Sequence, residues 1–141
     1  EALYKASQHG VSVDLVVRGI CAIRSGVPGL SENIRARSTL GRFLEHSRIY
    51  HFVNGGDDEY WMGSADLMHR NLDRRVEALV KVIAVGHKMR LNRAINGYLE
   101  DTSASWHQLS DGNWIRKNKD ESGNYLDDFQ IKALEWYGRR A

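Results

Sequence analysis

Short apolar runs separated by turn residues predict the β-strands of this chain. The runs lie at residues 13–17, 48–53, 59–62 and 76–82. The first is apolar apart from Asp14, which is typical of a strand buried on both faces of a parallel sheet. The second and third lie on either side of Asn54-Gly55-Gly56 and predict a β-hairpin. A further hairpin is predicted around the Ser110-Asp111-Gly112 turn, with Trp106 and Trp114 on its two arms.

Apolar residues at helical spacing predict four helices. They cover residues 1–9, 38–46, 86–100 and 126–137. Gly10 follows the first helix, where a C-terminal cap belongs, and the chain opens within this element, so we expect it to be a fragment of a longer protein. Residues 26–33, with several glycines and Pro28, predict an ordered loop. The polar segments 67–75 and 118–124 predict a loop and a mobile segment, respectively.

The mixture of strands and helices predicts an α/β fold in one domain spanning residues 1–141, with a mixed, mostly buried sheet flanked by helices. A chain of 141 residues can bury a core without metals or disulfides. Cys21 is the only cysteine, which excludes an intrachain disulfide and favours a reducing compartment such as the cytoplasm. No apolar run is long enough to cross a bilayer.

The basic residues in the first half of the chain are of one kind. Every lysine or arginine between positions 18 and 75 is an arginine: Arg18, Arg24, Arg35, Arg37, Arg42, Arg48, Arg70, Arg74 and Arg75. A guanidinium stays charged and binds phosphate oxygens through two parallel hydrogen bonds, so the bias favours a polyanionic ligand. The alternative is a compositional bias with ordinary surface ion pairs. The net charge of +2 is too small to indicate nucleic acid by itself.

Two positions stand out as candidates for chemistry. Arg18 follows the first predicted strand, and ligands of open α/β sheets collect at the carboxyl ends of strands. His46 lies in Glu45-His46-Ser47-Arg48, and Gly63-Ser64 follows after the predicted hairpin. This outline resembles the phospholipase D superfamily motif, although Arg48 and Val53 stand where that family has a lysine and an acid. The resemblance implies, as one hypothesis, a phosphodiesterase or nuclease half-site.

A longer series of motifs resembles the last domain of polyphosphate kinases. The series consists of VRGIC at 17–21, RSGVPGLSENIRARS at 24–38, GRFLEHSRI at 41–49, GSAD at 63–66 and RNLDRR at 70–75. The resemblance covers nearly the whole chain and implies a phospholipase-D-like C-terminal domain. It also implies reversible transfer of the ATP γ-phosphate to polyphosphate through a phosphohistidine on an upstream domain.

The same resemblance implies roles for individual residues. Arg18 and His46 match the ATP-contacting positions, and His46 would also act in catalysis as a hydrogen-bond donor or as an acid. The predicted contacts to polyphosphate are Arg35, Arg37, Arg42, Arg70, Arg74 and Arg75. No metal ligand is expected within this chain, because the magnesium-binding residues and the phosphorylated histidine would lie in the upstream part. We therefore expect the isolated fragment to be inactive.

The partners implied by this family are ATP or ADP, inorganic polyphosphate and the upstream domains of the same polypeptide. A homo-oligomer is expected for the full-length protein, with no nucleic acid and no transmembrane segment. The expected location is the cytoplasm, with peripheral association with a membrane as an open alternative. A third functional hypothesis is a non-catalytic module that binds anions.

Overall fold

The computed structural model describes residues 1–138, which form two compact units. The first unit combines residues 1–44 with the chain from Gly97 onward, and the second consists of residues 45–96. Along the chain the elements are α1 (Ala2–Gln8), β1 (Val13–Val16), β2 (Ile34–Ser38), β3 (Ile49–Phe52), a 3-10 turn (Asn54–Gly56), β4 (Glu59–Gly63), α2 (His69–Leu72), β5 (Leu79–Val82), α3 (Val85–Leu99), β6 (Ser105–Gln108), β7 (Trp114–Lys117) and α4 (Phe129–Gly138).

The first unit is built around a four-stranded mixed sheet in the order β1-β2-β6-β7. Strands β1 and β2 are parallel, and the other neighbours are antiparallel. Strand β2 is inside the sheet, and its Ile34 and Ala36 are only 1% and 3% exposed. A β-branched residue and a small residue on one face of a central strand suit close packing, so β2 supplies the centre of this unit's core.

The second unit contains a three-stranded antiparallel sheet in the order β3-β4-β5. The predicted hairpin is confirmed: Ile49 pairs with Met62 and Phe52 with Glu59 across the turn. Tyr60 on β4 is 4% exposed, and its ring stacks on that of His51 at 4.3 Å between centroids. Tyr60 is the buried hydrophobic residue of the second unit, and the stacked ring of His51 covers one of its faces.

The α/β class and the mixed sheet are confirmed, but the strands form two sheets where one mostly buried sheet was predicted. The prediction that the first strand is parallel is also confirmed. Its burial on both faces is wrong, because β1 lies at the sheet edge and its residues alternate between half-buried and exposed. Central strand β2 was missed, since its sequence, IRARS, carries two arginines and lacks an apolar run.

The helix predicted at residues 38–46 is wrong. Strand β2 ends at Ser38, and the chain has no helix or strand from there to Arg48. Gln130, a buried residue of α4, accepts a hydrogen bond from the Phe43 amide at 2.8 Å and donates one to the Phe43 carbonyl at 2.9 Å. A Cβ at Gly41 would overlap the Gln130 side chain. The distant glutamine thus satisfies backbone groups that a helix would otherwise pair.

The other predicted elements are found with shifted bounds. Helices α1 and α3 and the β6–β7 hairpin are confirmed. Residues 67–75 contain the short helix α2, and the strand predicted at 76–82 is limited to β5. Helix α4 begins at Phe129, later than the predicted 126, because the Asp128 carboxylate accepts a hydrogen bond from the Gln130 amide at 2.8 Å and caps it.

Within the predicted mobile segment 118–124, the Asp120 carboxylate accepts a hydrogen bond from the Asn124 amide at 2.8 Å. The mobility of this segment stays a prediction. Across residues 1–138, no helix combines the length and the apolar character that a membrane span requires.

Glycine substitutions in α3 test the packing of this helix against α4. A Cβ at Gly97 would overlap the Phe129 ring, which packs edge-on against Tyr98 at 4.4 Å between centroids. We expect Gly97→Ala to lower the free energy of unfolding by about 1–3 kcal/mol, because overpacking outweighs the gain in helix propensity. Gly86→Ala, where nothing lies within 4 Å, is the matched control and should be neutral or stabilise by up to about 1 kcal/mol. Urea unfolding followed by circular dichroism measures both, and equal stabilities would contradict the packing.

Candidate functional site

His46 lies beside a fixed arginine in the second unit. It is exposed and lies three residues before the start of β3. Nη1 of Arg48 lies 2.6 Å from His46 Nδ1 and 3.4 Å from Nε2, and it donates a hydrogen bond to the His46 carbonyl at 2.9 Å. Because a guanidinium only donates, Arg48 is the donor in the hydrogen bond to the carbonyl. The imidazole and the backbone of His46 are therefore both held against the Arg48 guanidinium.

Arg48 is in turn held by Asp66. Its Nε donates to Asp66 Oδ1 at 2.9 Å, and the two side chains are 14% and 26% exposed. This hydrogen bond is the largest cause that raises the pKa of Arg48 above its ordinary value. The Gly63 amide donates to the Arg48 carbonyl at 3.0 Å, so the segment from Gly63 to Asp66 is tied to the start of β3. The two motif pieces that contain His46 and Ser64 thus belong to one cluster.

Ser64 and Glu77 form the adjoining part of this cluster. The Ser64 hydroxyl donates to Glu77, and Asn71 Nδ2 donates to the other carboxylate oxygen at 2.8 Å. These two hydrogen bonds, in that order, lower the pKa of Glu77, and the charges of Arg75 and Arg48 act in the same direction. Ser64 also accepts a hydrogen bond from the Ala78 amide at 3.1 Å. The serine therefore uses its hydroxyl to join the end of β4 to the chain before β5.

Three predicted phosphate contacts of the second unit are exposed arginines. Arg70 lies in α2, and Arg74 and Arg75 follow it. The positive charge of Arg75 lowers the pKa of Glu77, which connects this arginine electrostatically with the cluster described above. Exposed guanidinium groups keep their donors available for a ligand.

Two predicted contacts of the first unit already hold carboxylates. Arg35 binds Asp14 through two parallel hydrogen bonds of 2.8 and 2.9 Å across the β1–β2 pair. Arg37 donates to Asp101 at 2.9 Å and to the Glu100 carbonyl at 3.3 Å, and its side chain is 7% exposed. Both arginines lie on β2. The hydrogen bond to Asp14 is the largest cause that raises the pKa of Arg35, and the charge of Asp101, the partner of Arg37, acts in the same direction. Both serve to join parts of the first unit.

Arg18 and Arg42 complete the predicted set. Arg18 is half-buried and lies two residues beyond the end of β1, the sheet edge expected from the sequence. Arg42 is exposed, with its guanidinium 5.9 Å from the centroid of the Phe43 ring. Both belong to the first unit, whereas His46 belongs to the second.

Sequence reasoning missed the residues that organise the cluster around His46. Asp66 and Glu77 were not predicted as site residues, and Arg48 was noted only as a departure from a motif. Its position two residues after His46 was the available signal, whereas the partners of Asp66 and Glu77 depend on tertiary contacts. Within residues 1–138, no group of three histidine, cysteine, aspartate or glutamate side chains could hold a metal ion.

Comparisons with known proteins agree on one family. Residues 1–126 match the family model described as polyphosphate kinase C-terminal domain 2. A polyphosphate kinase from Streptomyces coelicolor is 56% identical over 140 residues, which is 99% of this chain and 19% of that protein. A polyphosphate kinase from Pseudomonas putida is 49% identical over 116 residues, 82% of this chain and 16% of that protein.

A solved structure agrees with these sequence matches. The crystal structure of polyphosphate kinase from Porphyromonas gingivalis superposes with a TM-score of 0.87 at 33% identity, over 98% of this chain and 21% of that one. The chain thus spans about a fifth of the length of the relatives it matches. The resemblance drawn from the sequence motifs is confirmed.

The histidine beside Arg37 predicts a pH dependence of stability. His107 pairs with Arg37 across β2 and β6, and burial, followed by the charges of Arg37 and Lys117, lowers its pKa to about 4. Because the unfolded state then binds the proton more readily, stability is complete above pH ~6.5 and falls as the pH drops toward 4. The full shift corresponds to about 3 kcal/mol, which solvent screening of this half-buried ring reduces to about 1–2 kcal/mol.

Urea unfolding at pH values between 4 and 7 measures this dependence. His107→Gln should flatten the pH profile over that interval. His87→Gln, at an exposed position of α3, leaves His107 intact and should keep the slope of the unsubstituted protein. A profile that His107→Gln leaves unchanged would contradict the assignment.

Proposed function

Because this chain belongs to the polyphosphate kinase family, as its C-terminal domain 2, we propose that it forms part of the site at which such an enzyme binds ATP and polyphosphate. The proposed reaction is the reversible transfer of the ATP γ-phosphate, first to a histidine outside this chain with release of ADP and then to the end of the polyphosphate. The observation that carries the proposal is the exposed His46, fixed by Arg48 within motifs typical of this family.

His46 is the proposed catalytic residue of this chain. Phosphoryl transfer needs little covalent chemistry from a protein but much placement of hydrogen-bond donors and positive charge around the transferred group. The contact with Arg48 Nη1 at 2.6 Å supports an imidazole held in one orientation toward a phosphate oxygen. Both roles that the sequence left open, hydrogen-bond donor and acid, require such an orientation.

Arg18 is the proposed second contact to the nucleotide. Its permanent charge would neutralise phosphate oxygens of ATP, and its place beyond the carboxyl end of β1 supports this role. The proposal requires Arg18 and His46 to bind the same ATP molecule in the working enzyme. It would be lost if a bound nucleotide contacted only one of them.

The proposed polyphosphate contacts differ in how readily they can bind. Arg42, Arg70, Arg74 and Arg75 are exposed, which supports direct contacts to a polyanion. Arg35 and Arg37 would first have to release Asp14 and Asp101, so for them we propose a secondary role in shaping the site.

Several finer features are proposed from family membership alone. They are a phospholipase-D-like fold across one domain of residues 1–141, a phosphorylated histidine and magnesium ligands in the upstream domains, a homo-oligomeric full-length enzyme and a location in the cytoplasm. The described residues do not provide a metal-binding set, so no step of the reaction at His46 is assigned to magnesium here. The upstream domains of the same polypeptide are the proposed protein partners.

Phosphodiester hydrolysis of the phospholipase D type receives no support from the contacts of Ser64. Its hydroxyl is bound to Glu77, and Val53 stands where the motif has an acid. Detectable hydrolysis of a nitrophenyl phosphodiester by this chain would favour that function over the kinase. A purely anion-binding module would bind polyphosphate while its substitutions leave synthesis in the full-length enzyme unchanged.

Substitution in the full-length enzyme tests the two nucleotide contacts. We expect Arg18→Ala and His46→Ala each to reduce ATP-dependent polyphosphate synthesis by at least about 100-fold, because each removes a donor or charge at the transferred phosphate. Arg90→Ala and His87→Ala, both at exposed positions of α3, are matched controls and should retain activity. Circular dichroism checks the fold, and wild-type synthesis by both Arg18→Ala and His46→Ala would contradict the proposal.

Polyphosphate binding by the chain tests the exposed arginines. We expect affinity to fall by at least about tenfold between 0.05 and 0.5 M salt, since screening weakens contacts between a polyanion and surface charges. Arg74→Gln with Arg75→Gln should weaken binding at low salt, whereas Arg90→Gln with Arg93→Gln removes the same charge from α3 and should weaken it less. Fluorescence anisotropy with labelled polyphosphate measures these affinities. Equal effects of the two double variants would show that only net charge matters.

A further inference from the structure

We propose that Arg48 is a positioning residue for His46, and that the Asp66–Arg48–His46 chain of contacts holds the imidazole in the orientation in which it meets the phosphate. The inference rests on the proposed function, because it concerns the hydrogen bond that His46 would make to substrate. It assigns a role to Arg48 and Asp66, which were not among the site residues predicted from the sequence.

One nitrogen of Arg48 contacts both the ring and the backbone of His46. Nη1 lies 2.6 Å from His46 Nδ1 and 3.4 Å from Nε2, and it donates to the His46 carbonyl at 2.9 Å. Ring and backbone of His46 are therefore held by one group. An exposed imidazole would otherwise sample several rotamers, and this contact removes that freedom before substrate binds.

The planar fork of an arginine suits this position. An arginine has five donors and no acceptor, so one guanidinium can donate to the His46 carbonyl and to Asp66 at the same time. A lysine at position 48 would offer a single ammonium, which cannot reproduce the planar fork that reaches both His46 and Asp66.

Asp66 anchors the guanidinium of Arg48. Arg48 Nε donates to Asp66 at 2.9 Å, and at 14% exposure the arginine side chain is the most enclosed member of the chain of contacts. The Gly63 amide fixes the Arg48 carbonyl at 3.0 Å, and the Tyr50 hydroxyl donates to the Ala65 carbonyl at 3.2 Å. Backbone and side-chain contacts thus place the guanidinium independently of any ligand, as a positioning group requires.

A double-mutant cycle in the full-length polyphosphate kinase that carries this domain tests the inference. Arg48→Ala should lower kcat by about 10–100-fold while the KM for ATP changes by less than about threefold, because it misplaces His46 without removing a substrate contact. The decisive variant combines it with His46→Ala. If Arg48 acts through His46, the double variant is no slower than His46→Ala alone, whereas a direct phosphate contact would make the two losses multiply.

Chemical rescue and a second substitution complete the test. Added guanidinium should restore activity to Arg48→Ala by roughly tenfold, and it should restore none to His46→Ala, because only the first variant lacks a guanidinium. Arg90→Ala, on the exposed side of α3, is the matched control and should keep wild-type kcat with or without guanidinium. If Arg48→Ala does not fold by circular dichroism, Asp66→Asn, which keeps an acceptor oxygen and removes the charge, should still lower kcat with KM unchanged.

The outcomes separate this inference from the function on which it rests. An inactive His46→Ala together with wild-type kcat in folded Arg48→Ala or Asp66→Asn overturns the positioning role and leaves the proposed function standing. Multiplying losses in the cycle also overturn it. Full activity of His46→Ala overturns the proposed function itself.

Discussion

The guanidinium of Arg48 is the group on which the contacts around His46 depend. It joins Asp66 on one side to the ring and carbonyl of His46 on the other, at 2.9, 2.6 and 2.9 Å. Because arginine keeps its proton and only donates, it is the donor in the hydrogen bonds to Asp66 and to the His46 carbonyl. The neighbouring bonds from Ser64 and Asn71 to Glu77 extend the same ordered surface. A surface histidine thereby gains a defined orientation.

The arginines divide into two groups that composition alone cannot separate. Arg35, Arg37 and Arg48 are bound to carboxylates and join strands or loops. By contrast, the exposed arginines in and after α2 retain accessible donors. The bias toward arginine therefore includes ion pairs that hold the fold, as well as exposed guanidinium groups for which a polyanionic ligand stays a prediction.

Family membership and contact geometry answer different questions about this chain. The matches to polyphosphate kinases identify the family, and they do so over a segment equal to about a fifth of each relative. The contacts show how individual side chains are held, such as the His46 ring against the Arg48 guanidinium. Gln130 also holds the Phe43 backbone through a hydrogen bond, and this residue of α4 lies beyond the residues matched by the family model. The C-terminal helix is therefore part of what shapes the segment before His46.

The sequence by itself determined the family, the α/β class, the β3–β4 hairpin and helix α3, because these depend on local periodicity and on ordered motifs. Only the tertiary structure decided that β2 is a central strand, that residues 39–44 are not helical and that Asp66 and Glu77 belong to the cluster. Each of these depends on partners distant in sequence. Gln130 pairs with Phe43 across 87 residues, and no local pattern can report a hydrogen bond whose other half lies that far away.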